Sequence, residues 1–434
     1  MKKTLLAAAL VAGFAGVAHA ESSVTLYGLV DAGYGYSNIE AKGRGDYPNG
    51  KVSVRKFGVQ SGVMNGNRWG LKGKEDLGNG TSAIFVLESG FDLGDGSASQ
   101  AKSVSHKVVV DVDADGKPVY GTLKTKENRL FGRQAYVGLA GDSWGTFTIG
   151  RQYNAADTFV APIDPFGTGG GLASATNVFG DSLSTRHDRV IKYVTPNFSG
   201  FQFGVGLVHD DTRTKYSGDF GSSKLTERNI GVTTGLGFTS GPLYLGASFD
   251  YIDSKTIVDG ETQPRNKPKA WNVGGTYDFD VVKLHLMYGG QNGGSIGGIG
   301  DLAEAPIKAI ASFPSSIRNA DLNADAYQGR GLRQHSWLAG LSAPVGDAGK
   351  LMFSYAGNTI KNNWTKNAVG NNGENIKVKS HNFALGYRHS LSKRTSVYGV
   401  ATYGWANAKE RENNFNGKVK TTATSAVVGL QHRF

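Results

Sequence analysis

The chain of 434 residues contains no cysteine and only 11 prolines. Without cysteine it can have no disulfide scaffold, no thiolate metal site and no cysteine nucleophile. The low proline content excludes a collagen-like chain, and a hydrophobic content of 39% excludes an intrinsically disordered one. Beyond residue 20, no apolar run approaches the length of about 18 residues that a transmembrane helix requires.

Glycine and aromatic residues are abundant, with 63 Gly, 18 Tyr and 21 Phe. The 47 lysines and arginines exceed the 36 acidic residues, which gives a formal net charge of +11. These basic residues are scattered along the chain and form no basic stripe in the sequence, so we expect no nucleic-acid partner. Zinc-protease, phosphate-loop and nucleophile-elbow motifs are also absent, and we expect neither a metal nor another cofactor.

The N-terminus has the pattern of an export signal. Lys2 and Lys3 precede the apolar run 5–17, and the tripeptide 18–20 fits the small-x-small rule for signal-peptidase cleavage. We therefore expect residues 1–20 to be a cleaved signal peptide and residues 21–434 to form a single domain. Export without cysteine is typical of the bacterial envelope.

The rest of the chain alternates between apolar and polar residues with a period of two. The pattern is clearest in the segments 201–207, 243–251, 284–288 and 382–388. A period of two predicts β-strands with one apolar face. That face can be the core of a soluble sandwich, or it can contact lipid in an outer-membrane barrel.

The connections between these strands favour the barrel. Seven short turns are expected at Asp76–Gly80, Gly141–Gly145, Pro196–Gly200, Ser240–Pro242, Asp278–Val281, Pro344–Gly349 and Leu391–Arg394. They alternate with eight long polar stretches at 38–62, 95–126, 154–185, 213–226, 257–269, 293–332, 362–378 and 409–419. Short periplasmic turns that alternate with long outer loops are a property of transmembrane barrels. The sequence predicts an all-β, antiparallel barrel of sixteen strands.

The chain ends in a strand that supports closure of such a barrel. Val428, Leu430, His432 and Phe434 share one parity, and the final residue is Phe434 itself. If this strand pairs with the first one, the sheet has no exposed edge. We therefore take Phe434 as the signal for closure and assembly.

Several segments together resemble the Gram-negative general porins, most of all their β-proteobacterial and neisserial branch. They are SSVTLYGLVDAG (22–33), NRWGLKGKEDLG (67–78), LFGRQAYVGL (130–139), GTFTIGRQY (145–153) and GLQHRF (429–434). The likeness extends in order along nearly the whole mature chain. It implies a homotrimer of sixteen-stranded barrels, each a water-filled diffusion pore that the third outer loop narrows from inside.

In that family, basic side chains of the barrel wall face acidic groups across the constriction. The resemblance carries the basic role to Arg68, Lys72, Arg133 and Arg186. Strand alternation independently predicts that Arg68 and Lys72 face the lumen, because Trp69, of the opposite parity, is expected to face lipid.

The direction of Arg133 remains open from the sequence alone. If Tyr136 faces lipid, Arg133 faces the lumen, because the two have opposite parity in the strand. If Val137 and Leu139 face lipid instead, Arg133 also faces lipid.

The acidic side of the constriction is assigned by the same resemblance. Glu88 matches a wall carboxylate, and the loop 154–185 carries Asp157 and Asp164. General porins often have a Pro-Glu-Phe-Gly-Gly turn in this loop, whereas residues 164–168 read Asp-Pro-Phe-Gly-Thr. The acidic residue precedes the proline here, which leaves open where the loop carboxylate lies.

The sequence thus predicts a passive outer-membrane channel for ions and small hydrophilic solutes, with a preference for anions. Guanidinium groups stay charged at physiological pH, and a surplus of one sign favours ions of the other. The expected partners are two further copies of the chain, outer-membrane lipid and lipopolysaccharide, and the solutes. A substrate-specific porin with a saturable lumen site, a barrel enzyme and a soluble exported β-protein are the alternatives.

Overall fold

The computed structural model describes most of the region expected to form the mature protein. The described residues are 22–45, 49–99, 102–112, 118–127, 129–169, 171–218, 221–262, 267–293, 331–362, 375–412 and 415–434. The expected signal peptide, residues 1–20, lies outside them. Within these ranges, no helix has the length and apolar character needed to cross a membrane.

Antiparallel β-strands make up almost all of the described chain. They are β1 (Ser23–Gly45), β2 (Lys51–Ser61), β3 (Arg68–Gly78), β4 (Thr81–Gly90), β5 (Lys102–Val112), β6 (Pro118–Glu127), β7 (Gln134–Gly141), β8 (Gly145–Tyr153), β9 (Arg186–Val194), β10 (Phe201–Gly218), β11 (Gly221–Ser240), β12 (Leu243–Val258), β13 (Glu261–Thr262), β14 (Lys269–Asp278), β15 (Lys283–Asn292), β16 (Leu332–Val345), β17 (Gly349–Asn362), β18 (Asn375–Ser390), β19 (Thr395–Glu412) and β20 (Phe415–Arg433). The helical elements are α1 (Ala155–Phe159), α2 (Thr176–Phe179) and the 3₁₀ turns Ala161–Ile163, Gly171–Ala173 and Gly180–Ser182.

These strands form a closed barrel of sixteen strands, which confirms the predicted fold. The outer half of β1 pairs with β2 and its first residues pair with β3, so β2 and β3 act as one barrel strand. The hairpin of β5 and β6 forms a separate sheet, and β13 is a two-residue extension of a loop. The last strand, β20, pairs with β1 from Leu29 to Gly45 and closes the barrel.

All seven expected short turns separate consecutive barrel strands. The outer connections differ from the prediction, because the strands continue into three of the expected loops. The stretches 38–62, 213–226 and 409–419 are mostly paired strand, up to Gly218 in β10 and Glu412 in β19. These strand ends extend beyond the membrane, where neither face of a strand contacts lipid. Both faces are therefore polar, and the sequence has no period of two that would distinguish a strand from a loop.

Side chains alternate between the two faces of the wall. Leu385 and Leu430 are exposed on the lipid-facing side, while Ala384 and Gln431 are buried on the lumen side. The lumen holds an apolar cluster in which Phe159, Ile163 and other residues of the third loop pack with buried wall residues such as Met287. Glycines in the wall make room for it, because a side chain at Gly246 would collide with the carbonyl group of Phe159.

Candidate pore constriction

The third outer connection, residues 154–185, folds into the lumen and is anchored where it leaves the wall. The side chain of Asn154 caps α1 by accepting a hydrogen bond from the backbone of Asp157. The Asn154 amide also donates to Asp250 Oδ2 at 2.9 Å, and the backbone N–H of Ala155 donates to Thr233 Oγ1 at 2.7 Å. Both acceptors project inward from neighbouring strands, so the start of the loop is fixed to the wall.

A second anchor holds the loop where it meets the wall at β16 and β17. The carbonyl oxygen of Val178 accepts hydrogen bonds from Gln334, Ser336 and Asn358, at distances of 2.6, 2.7 and 2.9 Å. All three donors are buried. Fixed at both places, the loop crosses the lumen and narrows it.

Between the loop and the wall lies a cavity of about 560 Å³ lined by five charged side chains. Arg68, Arg133 and Arg186 contribute three positive charges, and Glu88 and Asp157 contribute two negative ones. The structure therefore brings together five of the seven side chains that were expected at the constriction. Their formal sum is one positive charge.

Glu88 is the centre of the charge network on the wall. It is 4% exposed and accepts a hydrogen bond from Arg133 Nε at 2.7 Å and another from the Tyr27 hydroxyl at 3.1 Å. Arg68 Nε lies 3.7 Å from the second carboxylate oxygen. One carboxylate therefore holds two guanidinium groups close together without neutralising both.

Tyr153, the last residue of β8, bridges two of the arginines that line the cavity. Its hydroxyl accepts a hydrogen bond from Arg133 Nη2 at 2.8 Å and another from Arg186. The guanidinium carbon of Arg186 lies 4.2 Å from the centre of the Tyr153 ring, within the range of a cation–π interaction. Sequence reasoning missed this residue, because a tyrosine at the end of a strand is also typical of the membrane interface.

The structure settles the direction of Arg133. Val137 and Leu139 of β7 are exposed toward lipid, and strand parity alone would send Arg133 outward with them. Arg133 instead lies in the bend just before β7 begins at Gln134, so the alternation does not apply to it. Its side chain is buried on the lumen side against Glu88.

On the loop side, Asp157 supplies the carboxylate of the cavity. Ser184 donates a hydrogen bond to it, and the positive charges of Arg186 and Lys192 act on it as well. Burial nevertheless dominates and raises the pKa of Asp157 above its ordinary value. Its negative charge is therefore lost at a higher pH than that of an exposed aspartate.

The structure corrects the expected positions of Asp164 and Lys72. Asp164 does not line the cavity; it is 5% exposed and accepts hydrogen bonds from the backbone N–H groups of Phe166 and Ala175. It therefore shapes the loop from within, because the acidic residue precedes the proline of the turn. Lys72 does face the lumen, but its Nζ lies over the Tyr27 ring at 5.5 Å, outside the residues that line the cavity.

A buried carboxylate that the sequence did not single out supports the wall beside the cavity. Asp31 is fully buried and accepts hydrogen bonds from the backbone N–H groups of Val63 and Asn65, both at 3.1 Å. The hydroxyl of Tyr398 and the amide of Gln431 also donate to it, at 2.6 and 2.9 Å. Its donors come from three separate parts of the chain.

The bend that Asp31 holds interrupts the second barrel strand between Ser61 and Arg68. Gly62, Asn65 and Gly66 of this bend line the cavity. Asp31 therefore positions the strand start from which Arg68 projects. No motif marks it, since its partners are remote in the sequence.

The C-terminal residue pairs with the first strand. The backbone groups of Phe434 and Gly28 exchange two hydrogen bonds, at 3.0 and 3.1 Å. The Phe434 ring packs over Gly28, where any side chain would collide with it. The last residue is thus part of the closure between β20 and β1.

The family model of the Gram-negative porins matches residues 7–409, which is most of the chain. The chain therefore belongs to the Gram-negative porin family. It is a β-barrel porin of the outer membrane of a Gram-negative bacterium.

Similar proteins cover the chain from end to end. An outer membrane porin protein of Bordetella pertussis is 36% identical over 439 aligned positions, which cover 100% of both chains. Outer membrane porin protein 32 of Delftia acidovorans is 29% identical over 100% of both chains. Among solved structures, an anion-selective porin from Comamonas acidovorans shares the fold, with a TM-score of 0.55 and 24% identity over 95% of this chain and 100% of that one.

Proposed function

We propose that this porin is a general diffusion channel whose constriction favours small anions. The observation that carries the proposal is the cavity of about 560 Å³ lined by Arg68, Arg133 and Arg186 against Glu88 and Asp157. The arginines stay charged at any physiological pH, whereas burial favours the neutral form of Asp157. The surplus is therefore positive, and it lies where the loop narrows the pore.

The channel passes solutes passively, by our proposal, and performs no enzymatic reaction. Charged groups on opposite sides of a narrow slot order the water between them, and this favours hydrophilic over apolar solutes. Mature residues 21–434 form the barrel, and residues 1–20 are removed on export.

We also propose that three copies assemble through the outward faces around β2, β8 and β9. Phe57 and Val59 of β2 are exposed, at 71% and 62%. Arg151 on the outward side of β8 pairs with Asp188 at 2.6 Å. Charged groups on a lipid-facing wall are costly toward the middle of the bilayer, which supports cover by another subunit here. The outer-membrane lipid and lipopolysaccharide would surround the remaining faces.

Planar-bilayer recording tests the channel and its selectivity together. We expect conductance steps in groups of three, and a reversal potential in a KCl gradient that has the sign of anion preference. A reversal potential of the opposite sign would contradict the anion preference. Flux that saturates with one solute would instead indicate a substrate-specific porin.

A further inference from the structure

Six basic residues form a continuous row across the outer ends of six adjacent barrel strands. Each is the direct cross-strand neighbour of the next, from β16 through β20 to β1. In spatial order, the members of this basic row are Arg333, Lys361, Lys377, Lys409, Lys418 and Arg44. The row exists only in the folded barrel, since its members are scattered along the sequence.

The basic row lies on the outward face of the barrel. Lys377 has the parity of Phe383 and Leu385, which are exposed on the lipid side of β18. Lys418 has the parity of Val428 and Leu430 in β20. Because alternate residues of a strand share a face, these cations project away from the pore.

Their height places part of the row at the outer edge of the apolar band. Lys361 lies twelve residues along β17 from Gly349, which follows a short periplasmic turn. At about 3.3 Å per residue and a strand tilt near 40°, this corresponds to a height of about 30 Å. The apolar band of an outer-membrane barrel is about 25 Å tall. Lys361 and Lys377 therefore lie at the level of the lipid headgroups, and the row climbs toward β1.

An aromatic girdle lies directly below the row on the same face. Trp405 stacks on His381 with a ring-centre distance of 5.0 Å, and Phe383 and Tyr403 lie close to Trp405. Aromatic side chains of this kind mark the membrane–water interface. The girdle therefore lies at the level of the ends of the acyl chains next to the headgroups, and the basic row lies at the level of the charged headgroups.

The positive charges of the row are not compensated within the part of the protein that the structure describes. Like charges directly opposite one another on neighbouring strands are destabilising. A hollow of about 450 Å³ opens between Lys377, Lys409, Lys418 and Arg44, and its described lining contains no carboxylate. The acidic residue on this face of β1, Glu40, already pairs with two other lysines.

We propose that the basic row binds the phosphate groups of a glycolipid in the outer leaflet. The ligand must be anionic, because several cations converge on one hollow. It must belong to the membrane, because the hollow opens outward just above the lipid-facing girdle. Lysine ammonium groups on flexible stems suit phosphate groups held at variable positions. The site is independent of the pore and does not rest on the proposed selectivity.

The test uses the full mature chain, refolded from inclusion bodies so that it carries no bound lipopolysaccharide. The probe is diphosphorylated lipid A in detergent, with binding followed by native mass spectrometry of the assembled protein. We expect the variant K377Q/K409Q/K418Q to bind at least about tenfold more weakly, since each lysine near such a headgroup contributes about fivefold. Binding should also weaken as salt rises, because exposed charges are screened.

The matched control removes three lysines outside the row. The variant K56Q/K215Q/K224Q loses the same charge from other exposed outer positions. We expect its affinity to stay within about twofold of the parent protein. Equal weakening in both variants would overturn the proposal, since the effect would then follow total charge. Unchanged affinity in K377Q/K409Q/K418Q would overturn it as well.

Two further arms identify the ligand chemistry. Lipid A with its phosphates removed should lose most of its affinity, and equal binding of that form would exclude phosphate recognition. Inorganic phosphate at the same phosphate concentration should compete weakly, and full displacement would indicate a site for free anions. Single-channel conductance of every variant confirms folding, so a failed lipid site is distinguishable from a failed pore.

Discussion

Replacing Arg68 by glutamine removes one positive charge from the constriction and keeps most of the side-chain volume. Glu88 retains its bond to Arg133 at 2.7 Å, so the substitution leaves no buried carboxylate without a partner. The formal charge of the cavity lining falls from one positive charge to zero. The anion preference should therefore fall sharply while the pore stays open.

The size of the effect follows from the cavity itself. A sphere of about 560 Å³ has a radius of about 5 Å, so an ion at its centre lies about 5 Å from the lining charges. A unit charge at that distance in water contributes about 0.8 kcal/mol, which screening at 0.1 M salt reduces to about 0.5 kcal/mol. The effects on anion and cation are opposite, so the chloride-to-potassium permeability ratio should fall about fivefold.

The assay is the reversal potential across a planar bilayer, measured at two mean salt concentrations. At 1 M salt the Debye length is about 3 Å, and the change in the permeability ratio should shrink to less than about twofold. Lys72→Gln is the matched control, because it removes the same charge from the same face of β3. It lies four residues from Arg68, or about 13 Å of strand, and should change the ratio by less than about 1.5-fold.

Three results would refute this reasoning. An unchanged reversal potential for Arg68→Gln at 0.1 M salt would mean that permeating ions do not pass close to Arg68. Equal shifts for Arg68→Gln and Lys72→Gln would mean that selectivity follows the total charge of the lumen. A shift that persists at 1 M salt would point to a change in pore shape instead of an electrostatic effect.

Glu88→Gln should raise the anion preference, which the reversal potential measures. It should also lower the free energy of unfolding of the barrel by about 1–3 kcal/mol, because Arg133 loses its charged partner. The variant barrel should therefore unfold at a lower temperature in a heat-modifiability assay. Acidification should strengthen the anion preference, because protonation of Asp157, whose pKa burial raises, removes a negative charge; Asp157→Asn should flatten that dependence. Asp31→Ala should broaden the distribution of conductance levels, because the bend beside the cavity loses the acceptor of its backbone N–H groups. Burial raises the pKa of Asp164 to about 7, so the folded loop favours the protonated carboxyl group. The loop should therefore open more often as the pH rises from about 4 through 7. The exchange rate of the Ala175 amide hydrogen should rise over this range in the parent protein and not in Asp164→Asn.

The strand order and the side of each turn were predictable because both depend on local sequence. Turn residues such as Asn79 and Gly80 adopt positive φ, and the alternation on either side of them has a period of two. The lumen-facing directions of Arg68 and Glu88 were predictable because both belong to strands, Arg68 as the first residue of β3 and Glu88 within β4, and parity decides the face of a strand residue. In these places the backbone geometry leaves only one choice.

Positions outside regular strands could not be derived in this way. Arg133 lies in a bend, so its direction depends on the partner it finds in three dimensions. Asp164 lies in the loop, where two backbone donors draw the carboxylate inward. Asp31 receives a hydrogen bond from Gln431, a residue 400 positions away, and no local pattern encodes such a contact.

The basic row shows why scattered charge in a sequence is a poor guide to charge on a surface. Neighbouring strands supply one cation each, and only the register aligns them. In β18, Lys377 faces outward while Val378 is buried on the lumen side, so a register slip of one residue would exchange the two faces. Strand alternation turns the cations of the basic row outward, whereas the three arginines of the constriction lie on the lumen side. Pore selectivity and lipid contact can then change independently, because substitutions at odd and even positions of one strand act on different sides of the wall.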